Sequence, residues 1–357
     1  MTLVFILILV ALMFEYMNGF NDSANAIATS VATKALTGRQ AVILASICDL
    51  IGALAGTAVA KTVAAGLVDT DFVTQTTILC ALVAAIAWSL ITWRFGIPSS
   101  SSHALIGGLI GATLATAHGQ WSVIKWSVMN PVTHHVEGLQ HKVIVPMFAA
   151  PITGLVCGFF VMGTLLLVIQ RVRPDTANRV FSKLQIGAAA WTSFSHGMND
   201  AQKTMGIIAL TLFTATKTGS LDHLPGWLGF LRNPAFEVAT WIKVMCGLTI
   251  AAGIATGGQR IMKTVGKKLT RLQPIHGFAA QLTSAGVIQV ASLLGVPLST
   301  THVVSSTIMG VGATKRMNAV KWSLMGRLVC AWVITIPVTA SIGYTIFHAM
   351  KTIGMQR

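Results

Sequence analysis

The fold-deciding stretch of this sequence is GFNDSAN at residues 19–25, which lies inside an apolar segment. A second version, HGMNDAQ at residues 196–202, lies inside another apolar segment. An ionised carboxylate at membrane depth is costly unless it is compensated, so such residues usually mark ion or substrate sites. Two copies in one Gly-x-Asn-Asp frame therefore predict two half-sites built by a duplicated chain.

The composition predicts an all-α polytopic membrane protein. The 357 residues are 54% hydrophobic and only 10% charged, whereas soluble domains carry about 25% charged residues. Apolar stretches of about 20 residues, each long enough to cross a bilayer as a helix, recur along the whole chain. No segment has the composition of a separate soluble domain.

The charge balance is strongly basic, with 25 Lys and Arg against 10 Asp and Glu. In a soluble protein this would favour nucleic-acid binding, but here the basic residues lie in short loops, where they favour the cytoplasmic side. We therefore expect no nucleic acid as a partner.

The five cysteines lie in apolar segments without a CxxC spacing, which predicts free thiols and no structural metal. The apolar N-terminus runs into the first motif, which favours a mature helix over a cleaved signal.

A second pair of motifs completes an internal repeat. GIPSSSSH at residues 96–103 matches GVPLSTTH at residues 295–302, and each follows a Gly-x-Asn-Asp element. The basic segment 171–183 separates the halves. We predict a first transmembrane repeat at 1–170, a short cytoplasmic linker at 171–183, and a second repeat at 184–357.

Loop charges predict that the two repeats are inverted. The loop near Lys34 and Arg39 is basic, whereas its counterpart at 217–233 is nearly balanced. Residues 61–71 carry two aspartates, whereas their counterpart at 260–271 is basic. Alternation between halves is the pattern expected of an inverted repeat under the positive-inside rule. Both termini are then predicted to lie outside.

Five spans are predicted in each half, at 2–33, 41–60, 72–93, 98–117 and 143–170, then 184–213, 237–258, 275–294, 298–314 and 322–349. The long first element of each half is expected to break at its Gly-x-Asn-Asp motif. Half-helices or re-entrant hairpins at the site would raise the count to about six. Pro98 and Pro297 are predicted to lie in the first turn of a helix.

Each Ser/Thr cluster predicts an anion site. A helix that opens with hydroxyl side chains offers free amides and partial positive charge without Lys or Arg. The alternative is that these hydroxyls bond back to their own helix backbone. The predicted anion ligands are Ser99, Ser100, Ser101, Ser102, Ser299, Thr300 and Thr301, with Gln202 and Lys203 as further contacts.

The Asn-Asp motifs predict a cation site beside the anion site. Carboxylates repel anions unless a cation or proton lies between them, and amide oxygens are hard ligands for Na⁺ or Mg²⁺. Co-binding of an anion with cations is the chemistry of a symporter; the alternative is that the aspartates cap broken helices. The predicted coupling-cation residues are Asn21, Asp22, Asn25, Asn199, Asp200, Asp49 and Gln281, the last being the approximate counterpart of Asp49.

Four further features are less decisive. Lys203 lies three residues after Asp200, so it can pair with that aspartate or reach the anion. His103 and His302 end the Ser/Thr clusters and could relay protons, or serve as neutral hydrogen-bonding partners. Glu15 is also embedded in apolar sequence. His134, His135 and His141 share a loop in which metal binding is an alternative.

These four motifs in this order resemble the inorganic phosphate transporter (PiT) family across nearly the whole chain. The resemblance implies inverted repeats, phosphate oxygens held by the Ser/Thr clusters, and cation and phosphate bound at Asp22, Asp200 and their Asn neighbours. Sodium-coupled members commonly carry Glu at the positions of Asp49 and Gln281, and this sequence has neither. The resemblance therefore favours the bacterial, low-affinity branch, with proton coupling and uptake partly as a neutral metal–phosphate complex.

The expected protein is a secondary transporter of the bacterial inner membrane and not an enzyme. It is expected to need no cofactor and to have as partners inorganic phosphate, H⁺ or Na⁺, Mg²⁺ complexed with phosphate, the lipid bilayer and a second copy in a homodimer. Sodium coupling and sulfate transport are the alternatives within the family. An intramembrane aspartyl protease and an anion channel are alternatives outside it; the protease lacks a Gly-x-Gly-Asp context and leaves the Ser/Thr clusters without a purpose.

Overall fold

The chain folds almost entirely into helices. A computed structural model describes residues 1–129, 136–257, 272–315, 318 and 320–353. The helices in these residues are α1 Thr2–Ala32, α2 Gly38–Leu54, α3 Ala58–Ala65, α4 Gln75–Phe95, α5 Ser101–Thr116, α6 Val145–Val168, α7 Pro174–Lys217, α8 Thr240–Thr256, α9 Pro274–Leu293, α10 Thr300–Lys315 and α11 Trp322–Thr352. A two-stranded antiparallel ribbon, β1 Val128–Met129 and β2 Val136–Glu137, pairs Val128 with Glu137.

Several of these helices are long and apolar enough to cross a bilayer. Among the described residues these are α1, α4, α11, and α6 with the π-helical turn that precedes it. Helices α2 and α3 form a fifth candidate, bent by 70° at residues 55–57, where a single span was expected. The prediction of an all-α polytopic membrane protein is confirmed.

The Asn-Asp motifs do not break their helices, so the predicted break is wrong. Helix α1 runs through Asp22, and the 44-residue helix α7 runs through Asp200. The motif glycines serve close packing instead: a Cβ on Gly19 would lie 2.3 Å from the Ile250 carbonyl oxygen, and one on Gly197 would lie 2.1 Å from the Asp49 carbonyl oxygen. An unbroken helix satisfies its own backbone at membrane depth, which leaves the Asn and Asp side chains to bind neighbours.

The interruptions lie at the Ser/Thr motifs. Helices α4 and α5 form a first hairpin, and helices α9 and α10 form a second. Gly96 and Gly295 take left-handed φ angles of +63° and +65° where the chain turns, a conformation that glycine adopts without strain. Helices α5 and α10 have 16 residues each, a length of about 24 Å that is shorter than the hydrocarbon core.

The prolines lie in the turns rather than in the first helical turn, so that prediction is also wrong. The helices begin three residues later, at Ser101 and Thr300, because a serine directly before each provides the cap. Ser100 Oγ accepts the His103 amide at 3.1 Å. A serine oxygen satisfies an amide that has no partner in its own helix, and proline offers no such acceptor.

Both short helices lie in the protein interior. Every residue of α5 from Ser101 to Ala115 is buried, as is every residue of α10 from Thr300 to Ala313. Irregular backbone at membrane depth is tolerated only where protein or a cavity surrounds it. The hairpin turns therefore bring polar groups into the membrane without exposing them to lipid.

Helices of each half pack against helices of the other half. Helix α5 packs on α11 and α10 on α6, while α1 packs on α8 and α7 on α2. Gly111 of α5 and Gly158 of α6 lie where an added Cβ would meet backbone of α11 and of α10. Equivalent helices of the two halves thus make equivalent contacts. This is the pattern expected of two interlocked copies of one unit. Helix α7 begins at Pro174, so most of segment 171–183 is helical; the repeat boundaries and the inverted orientation stay predictions.

Candidate functional site

Asp22 of α1 is held by hydroxyl groups from both hairpins. Ser101 of the first hairpin donates to Oδ2 at 3.1 Å, and Thr301 of the second donates to Oδ1 at 3.0 Å. Asn25, one turn along α1, donates to Oδ1 at 3.1 Å and to the Thr301 hydroxyl at 2.9 Å. The carboxylate therefore joins the two helix starts that the sequence assigned to phosphate.

Asp200 of α7 has a different set of partners. Thr300 donates to Oδ2 at 3.1 Å, and the Lys203 ammonium binds Oδ1. His196 Nε2 lies 3.0 Å from Oδ2. Each aspartate thus contacts the Ser/Thr helix start of its own half, but only Asp200 has cationic neighbours on its own helix.

Lys203 uses its three donors within the protein. Besides Asp200, it donates to the Ser102 hydroxyl and to the Leu298 carbonyl oxygen, the latter at 2.9 Å. Its side chain is only 1% exposed, so partners must replace water around the charge. In this arrangement Lys203 joins α7 to both hairpins and pairs with the aspartate.

The motif asparagines use their amide nitrogens as donors, while their amide oxygens accept no hydrogen bond within the part of the chain that the structure describes. Asn199 donates to the Ser292 hydroxyl at 2.9 Å, and Asn21 donates to the Ser89 carbonyl oxygen at 3.4 Å. The Oδ1 atoms of Asn21, Asn25 and Asn199 are buried and accept no hydrogen bond from the described residues. Buried oxygens without donors suit a hard cation.

His196 links the site to Asp49. Its Nδ1 lies 2.5 Å from Asp49 Oδ1, while its Nε2 faces Asp200 on the next turn of α7. His196 lies within the second motif, but the sequence pattern assigned it no role. The available signal was its spacing, since a residue four positions before Asp200 lies on the same helix face.

Asn18 and Thr204 are two further polar contacts that the sequence analysis did not assign. Asn18 Oδ1 accepts the Ser101 hydroxyl at 2.7 Å, one turn before Asp22. Thr204 donates to Glu15 Oε2, and Glu15 is fully buried. A fourth buried carboxylate therefore lies between α1 and α7, bound to the residue that follows Lys203.

Several predicted site residues make contacts away from the two aspartates. Gln202 Oε1 accepts the Val59 amide at 2.8 Å, which satisfies the start of α3. Gln281 accepts the Ser30 hydroxyl at 3.0 Å and donates to the Ala26 carbonyl oxygen at 2.8 Å, which ties α9 to α1. Ser99 donates to the Thr92 hydroxyl at 3.0 Å.

The two motif histidines contact each other in the first turns of α5 and α10. The rings of His103 and His302 lie 4.9 Å apart edge to face, and His302 stacks on Trp332 at 4.0 Å. Neither ring nitrogen of His302 has a hydrogen-bond partner among the described residues. Their contacts join the hairpins to each other and to α11. His134 and His135 lie outside the described residues.

One trio of side chains could hold a cation. Ligand atoms of Asp22, His196 and Asp200 lie within 4.8 Å of one another. Two carboxylate oxygens and an imidazole nitrogen are an acceptable donor set for a metal ion. The ammonium of Lys203 and a protonated His196 would compete with such an ion for Asp200.

Residues 18–343 match the phosphate transporter family. This chain belongs to that family. The match covers both Asn-Asp motifs and both Ser/Thr hairpins, so the resemblance to the PiT transporters is confirmed. Membership also confirms the prediction of a transporter rather than an enzyme, and an aspartyl protease is no longer an alternative.

Curated relatives of this phosphate transporter agree with that assignment. The chain is 40% identical to a protein of Bacillus subtilis (strain 168) named "Probable low-affinity inorganic phosphate transporter", over 98% of each chain. A protein of Rhizobium meliloti (strain 1021) with the same name is 41% identical over 98% of this chain and 96% of its own. Among solved structures, "The sodium-dependent phosphate transporter" shares the fold with a TM-score of 0.79, at 24% identity over 99% of this chain and 100% of that one.

Proposed function

We propose that this phosphate transporter imports inorganic phosphate by cation-coupled symport, with the proton as the favoured coupling ion. One observation carries the proposal: both buried aspartates are hydrogen-bonded to hydroxyls at the starts of the hairpin helices. An anion site and two carboxylates in direct contact require a cation for joint occupancy.

Phosphate would bind between the starts of α5 and α10. Ser101, Ser102, Thr300 and Thr301 provide the hydroxyls, and the helix amides provide partial positive charge. In the present arrangement three of these hydroxyls donate to the aspartates. When phosphate enters, its oxygens would accept those hydrogen bonds instead, and a cation would take over the aspartates.

The cation would bind the aspartates and the unpaired amide oxygens. Asn21, Asn25 and Asn199 each keep a buried oxygen without a donor among the described residues. The carboxylates contact the hydroxyls proposed for phosphate directly, and each of these asparagines lies within three residues of one of the two aspartates. A cation there would compensate the anion, so the two would bind and move together.

His196 is the reason for favouring the proton. Its ring nitrogens face Asp49 and Asp200 at 2.5 and 3.0 Å. A proton on this imidazole places a positive charge between two carboxylates. A coupling Na⁺ would otherwise have to provide that charge. Gln281, the approximate counterpart of Asp49 in the second half, has a neutral amide in place of a carboxylate. Sodium is the alternative, since a protein with the same fold is named for sodium dependence.

Further parts of the proposal concern the substrate form and the setting. Phosphate would be accepted in part as a neutral complex with Mg²⁺, because neutralisation lowers the cost of membrane passage. Transport would follow movement of one half against the other around the central site. We place the protein in the bacterial inner membrane as a homodimer, with both termini outside. Sulfate, also a tetrahedral oxyanion, is the competing substrate.

Uptake by reconstituted protein tests the proposal. Proteoliposomes would be given radiolabelled phosphate under an inward proton gradient, an inward sodium gradient or no gradient, each with and without Mg²⁺ and with excess sulfate. We expect uptake that requires the proton gradient and resists sulfate. Uptake independent of both gradients would indicate a channel, and no uptake by folded protein would overturn the assignment.

A further inference from the structure

A cavity with two cationic side chains in its lining lies beside the first hairpin. It encloses about 480 Å³ between the turn at 95–98 and the first turns of α11. Lys321 and Arg327 line it, together with Ser323 and Leu328. Two cationic side chains in one cavity of a membrane protein favour the binding of an anionic ligand.

Neither cation is neutralised within the described protein. Lys321 and Arg327 form no hydrogen bond or ion pair through their side chains with any described residue. The sequence from 75 to 116, which forms the first hairpin, contains no Asp or Glu, and neither does the sequence of α11. Both side chains are exposed, so an anion that enters the cavity can reach them, and its charge would offset the repulsion between the two like charges.

The other half provides an internal comparison. A cavity of about 440 Å³ lies in the corresponding place, between the turn of the second hairpin and the first turns of α6. Its lining is almost wholly apolar, with Val145, Pro146, Leu294 and Leu298 among its residues. At this turn Lys142, just before α6, donates to the Leu294 carbonyl oxygen at 2.9 Å and lies 3.8 Å from Glu137. The second half thus gives its cation protein partners, whereas Lys321 and Arg327 have none among the described residues.

Apolar surface flanks the cations and indicates what kind of anion fits. Phe95 is 71% exposed and Ile97 36% exposed beside the cavity, and Leu90 and Ile91 are exposed further along α4. On α11, Val329 and Val333 are exposed beyond Arg327. A phosphate group with attached acyl chains matches both the cations and the apolar surface, whereas a free phosphate ion would use only the cations.

We propose that this cavity binds the phosphodiester headgroup of an anionic phospholipid from the leaflet in which α11 begins. Basic cavities between membrane helices commonly bind such headgroups. The lipid joins the turn of the first hairpin to α11, at a place where the Trp332 indole already donates to the Pro98 carbonyl oxygen at 3.3 Å. It therefore stabilises the base of α5 without contacting Asp22 or Asp200.

Binding to purified full-length protein tests this inference. Native mass spectrometry and thermal unfolding in detergent would compare dioleoylphosphatidylglycerol, dioleoylphosphatidylcholine and inorganic phosphate. We expect K321Q/R327Q to bind phosphatidylglycerol about thirtyfold more weakly than wild type, with each removed charge contributing about fivefold. The control R179Q/K183Q also removes one Arg and one Lys, from the exposed start of α7, and should bind like wild type.

Several results would overturn the proposal. These are equal binding of phosphatidylglycerol by K321Q/R327Q and wild type, equal binding of phosphatidylcholine and phosphatidylglycerol by wild type, and displacement of phosphatidylglycerol by inorganic phosphate. The last would make the cavity a free-phosphate site. Retained binding by K321R/R327K and an unchanged size-exclusion profile would attribute the loss to charge. If the double variant does not fold, R327Q alone should show the fivefold loss.

Discussion

His196 and Asp49 form a buried contact of 2.5 Å between α7 and α2, with exposed fractions of 1% and 0%. Helices α2 and α7 belong to different halves, so this contact crosses the predicted repeat boundary. It connects Asp49 through the imidazole to Asp200 and then to Lys203. The coupling-ion candidate of the first half thereby acts on the aspartate of the second.

His196→Gln and Asp49→Asn should each reduce proton-driven phosphate uptake by about tenfold, a loss that leaves measurable activity, since each breaks the unit that holds the proton. The double variant should be no worse than either single variant, because residues that act as one unit are not additive. Proteoliposome uptake under a proton gradient measures all three. Multiplying losses would show that the two residues act separately.

Asp22→Asn and Asp200→Asn should reduce coupled uptake to about one hundredth of wild type or less, which corresponds to about 3 kcal/mol of lost compensation for the bound ions. Asp222→Asn removes an exposed carboxylate and is the matched control. Near-normal uptake by both site variants, in protein that unfolds at the wild-type temperature, would refute the assignment of the aspartates.

Lys203→Met should destabilise the fold by about 3–5 kcal/mol, because it leaves the buried Asp200 carboxylate without its ammonium partner. The variant Asp200→Asn/Lys203→Met removes both charges and should recover much of that loss. Thermal unfolding in detergent compares the two. A double variant less stable than Lys203→Met would contradict an ion pair at this position.

Gly19→Ala and Gly197→Ala should each cost about 1–3 kcal/mol or more through overpacking, because the new methyl group would overlap backbone of α8 or α2. Gly163→Ala in α6 is the control, since its added Cβ meets nothing described within 4 Å. That change should be neutral or stabilise by up to about 1 kcal/mol. Equal melting temperatures for all three variants would mean that the motif glycines do not set helix contact.

Sequence patterns predicted well those helices whose position depends only on their own hydrophobic length. The apolar segments around α4, α6 and α11 were located to within a few residues, because hydrophobic length alone defines such spans. The bend between α2 and α3 was missed, since Gln202 of α7 provides the acceptor that lets α3 start anew. That acceptor lies more than 140 residues away in sequence, so no local pattern reveals it.

The motif geometry was predicted only in part. A cation site at the Asn-Asp motifs beside an anion site at the Ser/Thr clusters was expected, whereas the individual contacts of Asp22 with Ser101 and of Asp200 with Thr300 were not. The interruptions at the Ser/Thr motifs were predicted as gaps between spans, but the further breaks predicted at the Asn-Asp motifs are wrong, because an Asn-Asp pair is compatible with either a break or a polar helix face. Neighbouring hydroxyls decide between the two, and they come from the hairpins.

By itself the sequence determined the membrane class, the duplicated motifs and the family, since each depends on composition or on the identity and order of residues. Only the tertiary structure decided that Thr301 of the second half binds Asp22 of the first, and that His196 bridges Asp49 and Asp200. The physical reason is that buried polar atoms need partners. Which partner is available depends on how the exchanged helices of the two halves pack.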